Sequence, residues 1–414
     1  MDLHPRRINR PRYQRILDSL RETEPVKVLQ GVRRCGKSTM LAAFRDRLLA
    51  DGVAPQNIFY RRFDEFGLPL EQSAENLMSD LQTAFKAANP TVTMYVFLDE
   101  IQEVEGWERV VRRLHTRPGT DVYITGSNAH ILSSDLATLL SGRQASVMVH
   151  PLSFEEYLAF RKAFDMDGSE EAAFADYLRF GGMPSLFTLR DRSIESISRE
   201  LSSIMDTVVL NDVARRLKLR DVALLQRLIT YLFATAGNLF STNKVVGALA
   251  SARRKTSSET IDNYIDALEK AYVISETSQT GLQGKQLLAP QRKIYPVDQG
   301  LRNLVTHFSA EDTGFQLENV VHNELTRRGY TVEVGTLRVG EVDFVARRND
   351  EVFYVQVCAT MLDPATRERE LKPLRAITDA FPRRVITLDR FGLGTTEDGI
   401  QVVNAIDWLL RSSE

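Results

Sequence analysis

Val26-Lys27-Val28-Leu29-Gln30-Gly31-Val32-Arg33-Arg34-Cys35-Gly36-Lys37-Ser38-Thr39 joins an apolar-rich run to a glycine-flanked turn, and Met40-Leu41-Ala42-Ala43-Phe44 follows with helical spacing. Residues 26–30 read as a short buried strand. Residues 31–39 are then G-x-x-x-x-G-K-[ST] in the strand–loop–helix setting that a phosphate-binding loop requires. Glycines let backbone N–H groups face phosphate oxygens, and the N-terminus of the next helix adds a favourable dipole. The expected cradle for ATP is Gly31, Arg34, Cys35, Gly36, Lys37, Ser38 and Thr39. Lys37 is expected to reach the β- and γ-phosphates and Ser38 to bind Mg²⁺.

A phosphate loop needs a second, acidic element to hold the hydrated metal and activate water. Met94-Tyr95-Val96-Phe97-Leu98-Asp99-Glu100 supplies it, an apolar strand ending in two carboxylates. Asp99 is expected at the strand tip near the metal, mostly through water, and Glu100 as the group that polarises the attacking water. Adjacent Asp-Glu, instead of a lone Asp, points to the additional-strand ATPases. Tyr123-Ile124-Thr125-Gly126-Ser127-Asn128 is a further apolar strand with a polar tip, from which Asn128 or Ser127 is expected to meet the γ-phosphate. Leu139-Leu140-Ser141-Gly142-Arg143 places an arginine after a helix-like run. Arg143 is either a transition-state finger supplied to a neighbouring subunit or a plain surface cation.

Together these residues resemble the AAA+ superfamily. The resemblance extends to one bacterial and archaeal branch, in which G-x-R-R-x-G-K-S, L-D-E-I-Q and T-G-S-N are joined to a C-terminal domain of unknown function. It continues through Leu140-Ser141-Gly142-Arg143, Pro151-Leu152-Ser153-Phe154 and Gly181-Gly182-Met183-Pro184, and resumes in Glu341-Val342-Asp343-Phe344 and Tyr354-Val355-Gln356-Val357. It implies an AAA+ fold with ATP and Mg²⁺, and catalytic sites that form between subunits.

The length of 414 residues exceeds one hydrophobic core and suggests two to four domains. The net charge of −2 conceals local clustering: Arg6, Arg7, Arg10, Arg12 and Arg15 crowd the N-terminus, and Arg253, Arg254 and Lys255 form a second knot. Two cysteines, Cys35 and Cys358, argue against a disulfide scaffold. With no membrane-length apolar run and no signal-peptide core at the N-terminus, a cytoplasmic protein is the expectation.

Residues 200–300 are mostly helical by pattern. Helices over Val222–Ala236, Val245–Ala250 and from Ser257 are followed by strands around Tyr272-Val273-Ile274 and Lys293-Ile294-Tyr295. Three helices and a two-stranded wing make a winged helix-turn-helix. Its third helix carries Thr260, Asn263 and Tyr264, with Arg253, Arg254 and Lys255 as candidate DNA phosphate contacts. Further on come a helix from Glu318, strands 331–334, 341–346 and 352–357, a helix over Leu371–Phe381 and a strand over Arg384–Asp389. That order is restriction-endonuclease-like. A working site of that type needs two carboxylates for Mg²⁺ and a lysine. Glu341 and Asp343 are present, but Gln356 and Cys358 stand at the second carboxylate and lysine positions, so a fold retained for binding, not cutting, is expected.

The expected fold is therefore α/β with three parts: an AAA+ P-loop ATPase core with an N-terminal basic segment (1–195), a winged helix-turn-helix domain (196–305) and a restriction-endonuclease-like domain (306–414). The expected function is an ATPase that binds DNA and remodels or translocates it as a homo-oligomer, with a hexamer as the prior. The alternatives are a signalling or defence switch that recognises a protein, and an ATP-gated nuclease.

Overall fold

The computed structural model describes residues 7–65, 72–126, 142–214, 217, 219, 221–254, 256–281, 291–308 and 313–411. The chain divides into two compact units, Met1–His150 and Pro151–Glu414.

The first unit holds strands β1 (Val26–Gln30), β2 (Ile58–Arg62), β3 (Gln72–Ser73), β4 (Met94–Asp99), β5 (Val104–Glu105), β6 (Thr120–Thr125) and β7 (Gln144–Met148). β3 and β5 pair with each other, and the rest form one sheet in the order β2-β4-β6-β1-β7. All its pairings are parallel. A parallel sheet is covered on both faces, which is why β1 and β4 are buried along their whole length. β6 lies between β1 and β4, the additional strand that the Asp99-Glu100 pair suggests. Helices α1 (Pro11–Leu20), α2 (Lys37–Ala50), α3 (Ala74–Ala87) and α4 (Trp107–His115) complete the unit. Phe44 of α2 meets Tyr123 at 5.2 Å, and Tyr123 stacks on Phe97 at 4.9 Å. Leu77, Leu81, Val110 and Leu114 of α3 and α4 join a core with Val96 and Val122. Lys27, the one charge within β1, is matched by Asp121 at 2.5 Å, with both side chains buried. Removing either partner would strand a buried charge, at a cost of about 3–5 kcal/mol.

The second unit opens with α5 (Phe154–Ala163), α6 (Glu170–Phe180) and α7 (Ile194–Thr207). There follow α8 (Val222–Ala234), β8 (Leu239–Phe240), α9 (Thr242–Ser251), α10 (Ser258–Lys270), β9 (Ile274–Thr280) and β10 (Arg292–Pro296). β10 pairs antiparallel with both β8 and β9. After α11 (Gln299–Val305) and α12 (Thr313–Arg327) come β11 (Thr331–Leu337), β12 (Gly340–Arg348), β13 (Glu351–Cys358), α13 (Pro364–Arg375), β14 (Arg383–Thr387), β15 (Gly394–Thr395), β16 (Gln401–Asn404) and α14 (Ala405–Leu410).

Two features differ from the expected organisation. β9 pairs in parallel with β11, so the strands on either side of residue 305 share one nine-stranded sheet. α6, placed by the sequence in the ATPase part, instead joins α11 through Gly181-Gly182. Gly182 N–H donates to Asp298 Oδ2 at 2.7 Å, and Leu301 N–H to Asp298 Oδ1 at 3.2 Å, capping α11. A Cβ on Gly181 would come within 2.2 Å of Asp298 Oδ1, so a side chain there is excluded. Burial raises Asp298 to about 6.

Candidate functional site

β1 delivers the chain into the glycine loop, and the loop's shape follows from three left-handed residues. Gly31 (φ 145), Arg34 (φ 62) and Gly36 (φ 104) all adopt positive φ. At Gly31 the requirement is also steric, since a Cβ would lie 2.1 Å from the Val149 carbonyl oxygen. Gly36 precedes the first residue of α2 and offers no capping side chain, so the leading N–H groups of that helix face outward for an anion. Lys37 is buried, and its Nζ donates to the carbonyls of Gly31 at 2.8 Å and Val32 at 3.2 Å. The ammonium is thus held over the loop's own turn. This geometry fits a nucleotide polyphosphate: a curled run of N–H groups with one ammonium across it.

The acidic element meets the loop directly. Ser38 Oγ donates to Asp99 Oδ1 at 3.0 Å, and Thr125 Oγ–H donates to the same oxygen. Tyr60 OH donates to Asp99 Oδ2 at 3.4 Å. Asp99 is fully buried, and burial raises its pKa against the opposing hydrogen bonds from Thr125 and Ser38. A hydroxyl and a carboxylate sharing one edge form the donor set a hydrated Mg²⁺ requires. Glu100 follows at φ 54, its N–H donating to Thr125 Oγ1 at 3.0 Å and its Oε2 accepting from Gln102 Nε2 at 2.5 Å. That left-handed turn directs the chain away from β4 just after the Asp99 carboxylate.

Thr125 and Tyr60 are the residues that sequence reasoning missed. Thr125 was legible in principle, because it ends β6 in register with Leu29, the penultimate residue of β1. Tyr60 carried no motif. Asn128 and Ser127 lie outside the described residues.

Arg143 is placed away from this constellation. Its carbonyl accepts from Val26 N–H at 3.1 Å, so it sits beside the first residue of β1, at the sheet edge opposite the phosphate loop. Its exposed side chain pairs with Glu24 at 3.5 Å. Within one chain it cannot reach the loop.

In the second unit, Arg253 (φ 57) and Arg254 lie in the turn after α9, and Arg254 is 4.0 Å from Asp221. Lys255 lies outside the described residues. Asn263 is exposed, while Tyr264 is buried on the same face of α10 as Ile261, Ile265 and Leu268.

The carboxylates expected on β12 form a cluster with a lysine that the sequence did not single out. Lys293 Nζ of β10 is 2.6 Å from Glu341 Oε1 and 3.1 Å from Glu318 Oε1. Tyr295 OH also donates to Glu318 Oε1, at 2.7 Å. Asp343 Oδ2 accepts from Val357 N–H at 2.8 Å, and Gln356 Nε2 donates to Glu370 Oε2 at 3.0 Å. Burial, then Glu318, raises the Asp343 pKa well above the ordinary carboxylate value. Burial works against the Lys293 charge, yet Glu318, Asp343 and Glu341 together hold its pKa above the usual lysine value. Cys358 is buried, its thiol pushed up to about 12 by desolvation, and contributes no cation. The lysine comes instead from a strand earlier in the chain.

Residues 23–158 match the AAA domain family, and residues 171–312 match a domain of unknown function. The second match covers the middle of the chain, not the last hundred residues where the resemblance put such a domain. A Haemophilus influenzae protein described as uncharacterized is 37% identical over 98% of this chain and 99% of its own length. An uncharacterized Methanocaldococcus jannaschii protein is 32% identical over 86% of this chain and 79% of its own. Among solved structures, a Walker-type ATPase of Pyrococcus abyssi superposes with a TM-score of 0.51 at 18% identity, covering 74% of this chain and 99% of that one. No helix among the described residues is long and apolar enough to cross a membrane.

Proposed function

Since the chain belongs to the family of AAA-domain proteins that includes these Haemophilus influenzae and Methanocaldococcus jannaschii relatives, we propose that it binds and hydrolyses ATP at the Gly31–Thr39 loop and spends that cycle on DNA. The observation that carries this reading is the convergence of the Ser38 and Thr125 hydroxyls on a single Asp99 carboxylate oxygen beside the phosphate loop. Lys37 binds the β- and γ-phosphates, the N–H groups of Gly36 and α2 orient them, and Ser38 and Asp99 are the residues that would hold Mg²⁺. Mg²⁺, when bound, neutralises the charge that develops on the transferred phosphoryl group. Glu100, next in the chain, takes the proton of the attacking water, and Thr125 keeps its backbone in place.

The assembly is a homo-oligomer, with a hexamer as the first model. Arg143 at the far sheet edge supports this, because from there it serves only a neighbour's site. The DNA reading draws on the α8-β8-α9-α10-β9-β10 order, a winged helix-turn-helix with Arg253 and Arg254 beside the third helix. The remaining strands form a restriction-endonuclease-like layer that binds without cutting. Contacts of this kind read the phosphate backbone and are salt-sensitive. The test is the ATPase rate with and without single-stranded, duplex and branched DNA. Stimulation that is lost on neutralising Arg253, Arg254 and Lys255 together supports the reading. A rate indifferent to every DNA, or DNA binding unchanged in the triple variant, contradicts it.

A further inference from the structure

We infer that Arg10 is a positioning residue of the phosphate loop, locking the Cys35–Gly36 peptide in its nucleotide-binding orientation. The inference rests on the assignment of that loop to ATP. Arg10 belongs by sequence to the N-terminal run of basic residues, yet only 5% of it is exposed. Its Nη1 donates to the Cys35 carbonyl at 3.1 Å and its Nη2 to the His150 carbonyl at 3.0 Å. The guanidinium also lies 4.5 Å over the Tyr13 ring, and Tyr13 OH accepts from His150 N–H at 3.0 Å. A planar cation with two forked donors is thus clamped between the loop and the end of the first unit, on the side where Gly36 has no Cβ; one placed there would sit 4.0 Å from Nη1.

The consequence follows from peptide geometry. In a planar trans peptide the C=O and N–H point in opposite directions, so holding the Cys35 carbonyl toward Arg10 turns the Gly36 N–H away from it. Gly36 N–H is one of the donors a phosphate loop offers. Gly36 tolerates either sign of φ, so the same flexibility that lets it adopt φ 104 lets this peptide flip cheaply. A flipped peptide would present a carbonyl oxygen, not an N–H, to an anion. A charge-assisted hydrogen bond from a buried guanidinium opposes that flip more strongly than a neutral donor does. The full positive charge beside the loop adds to the attraction for phosphate.

The experiment measures affinity of the full chain for a fluorescent ATP analogue with Mg²⁺, alongside thermal unfolding. Arg10→Ala is expected to weaken binding roughly tenfold or more, Arg10→Lys to fall between it and the parent, and millimolar methylguanidinium to restore part of the Arg10→Ala loss. Tyr13→Phe removes the Tyr13–His150 hydrogen bond but leaves both Arg10 bonds, to Cys35 and to His150, and is expected to bind like the parent. Folded Arg10→Ala binding as tightly as the parent overturns the inference, as does Tyr13→Phe losing as much affinity as Arg10→Ala. If Arg10→Ala does not fold, Arg10→Lys decides, parental affinity being the contrary result. Lys37→Ala is measured in parallel. If the parent itself does not bind, or Lys37→Ala binds equally well, the loop assignment fails instead.

Discussion

Ser38 Oγ donates to Asp99 Oδ1 across 3.0 Å, joining the glycine loop to the tip of a strand sixty-one positions further along the chain. The bond spans β6, which lies between β1 and β4 and adds its own Thr125 hydroxyl to the same oxygen. The loop's hydroxyl and the acidic strand are therefore held in register through one carboxylate oxygen.

Thr125→Val removes that second donor and also the acceptor for Glu100 N–H, while keeping the volume of a β-branched residue. The expected result is a fall in kcat of roughly tenfold, about 1.4 kcal/mol of transition-state stabilisation, with ATP affinity little changed. Steady-state kinetics beside equilibrium nucleotide binding read the two separately. A Thr125→Val enzyme with parental kcat would confine Thr125 to packing.

Arg143 is expected to act only across a subunit boundary. Arg143→Ala should bind ATP almost normally and hydrolyse almost none. Mixing it with Glu100→Gln should regain part of the rate, because some interfaces then receive an intact Arg143 and an intact Glu100. Full activity in a protein that stays monomeric by light scattering contradicts this.

The cluster around Lys293 is expected to be structural. Its ammonium pairs with both Glu318 and Glu341 and offsets one of their two charges, which lowers the pull on a divalent cation, and the raised pKa of Asp343 weakens that carboxyl as a ligand. Lys293→Met would leave buried carboxylates uncompensated and is expected to destabilise the fold by about 3–5 kcal/mol in urea titrations. Supercoiled and branched DNA incubated with the parent, ATP and Mg²⁺ or Mn²⁺ should stay uncut. Nicking that vanishes in Asp343→Ala would move the protein to the ATP-gated nuclease class.

His322 provides a pH signature. Its Nε2 shares a 2.8 Å hydrogen bond with Thr277 Oγ1, its ring stacks on Tyr295 at 4.1 Å, and burial lowers its pKa to about 4. A lowered folded-state pKa means stability that is fully present above the unfolded value of about 6.5 and is lost as pH falls toward 4, roughly 2 kcal/mol by pH 5. Asp298, raised to about 6, runs the other way: its contribution is complete below the unfolded carboxylate value and fades as pH rises through 6. Comparing the parent with His322→Gln at pH 7.5 and pH 5 isolates the histidine. The parent should lose the additional stability on acidification, and equal losses in both proteins would exclude His322 as the source.

The phosphate loop and the Asp99 strand were legible because each is a local pattern: an apolar run, a glycine turn and charged tips at set offsets. The three helices of the middle module were legible from their spacing, and Tyr264 is buried with Ile261, Ile265 and Leu268, as that spacing expects. Lys293, Tyr60 and Arg10 were not legible, because their roles arise from pairings between distant strands and loops that no spacing encodes. Lys293 reads as a residue in a short strand, and only the pairing of β9 with β11 brings β10 near Glu341. The same pairing hid the continuity of the sheet, since residue 305 falls between two helices and gives no sign that strands on either side share hydrogen bonds. Gly181-Gly182 read as part of a family motif, while its physical reason, the approach of Asp298, lies well over a hundred residues downstream.

The central claim is that Gly31–Thr39 and Asp99–Glu100 form one ATP-hydrolysing site, and release of phosphate from radiolabelled ATP by three purified proteins tests it most directly. The parent should turn over ATP, Lys37→Ala should neither bind nor hydrolyse it appreciably, and Glu100→Gln should hold ATP tightly and leave it intact. Turnover by Glu100→Gln at the parental rate, or ATP binding by Lys37→Ala as tight as the parent's, would contradict the account.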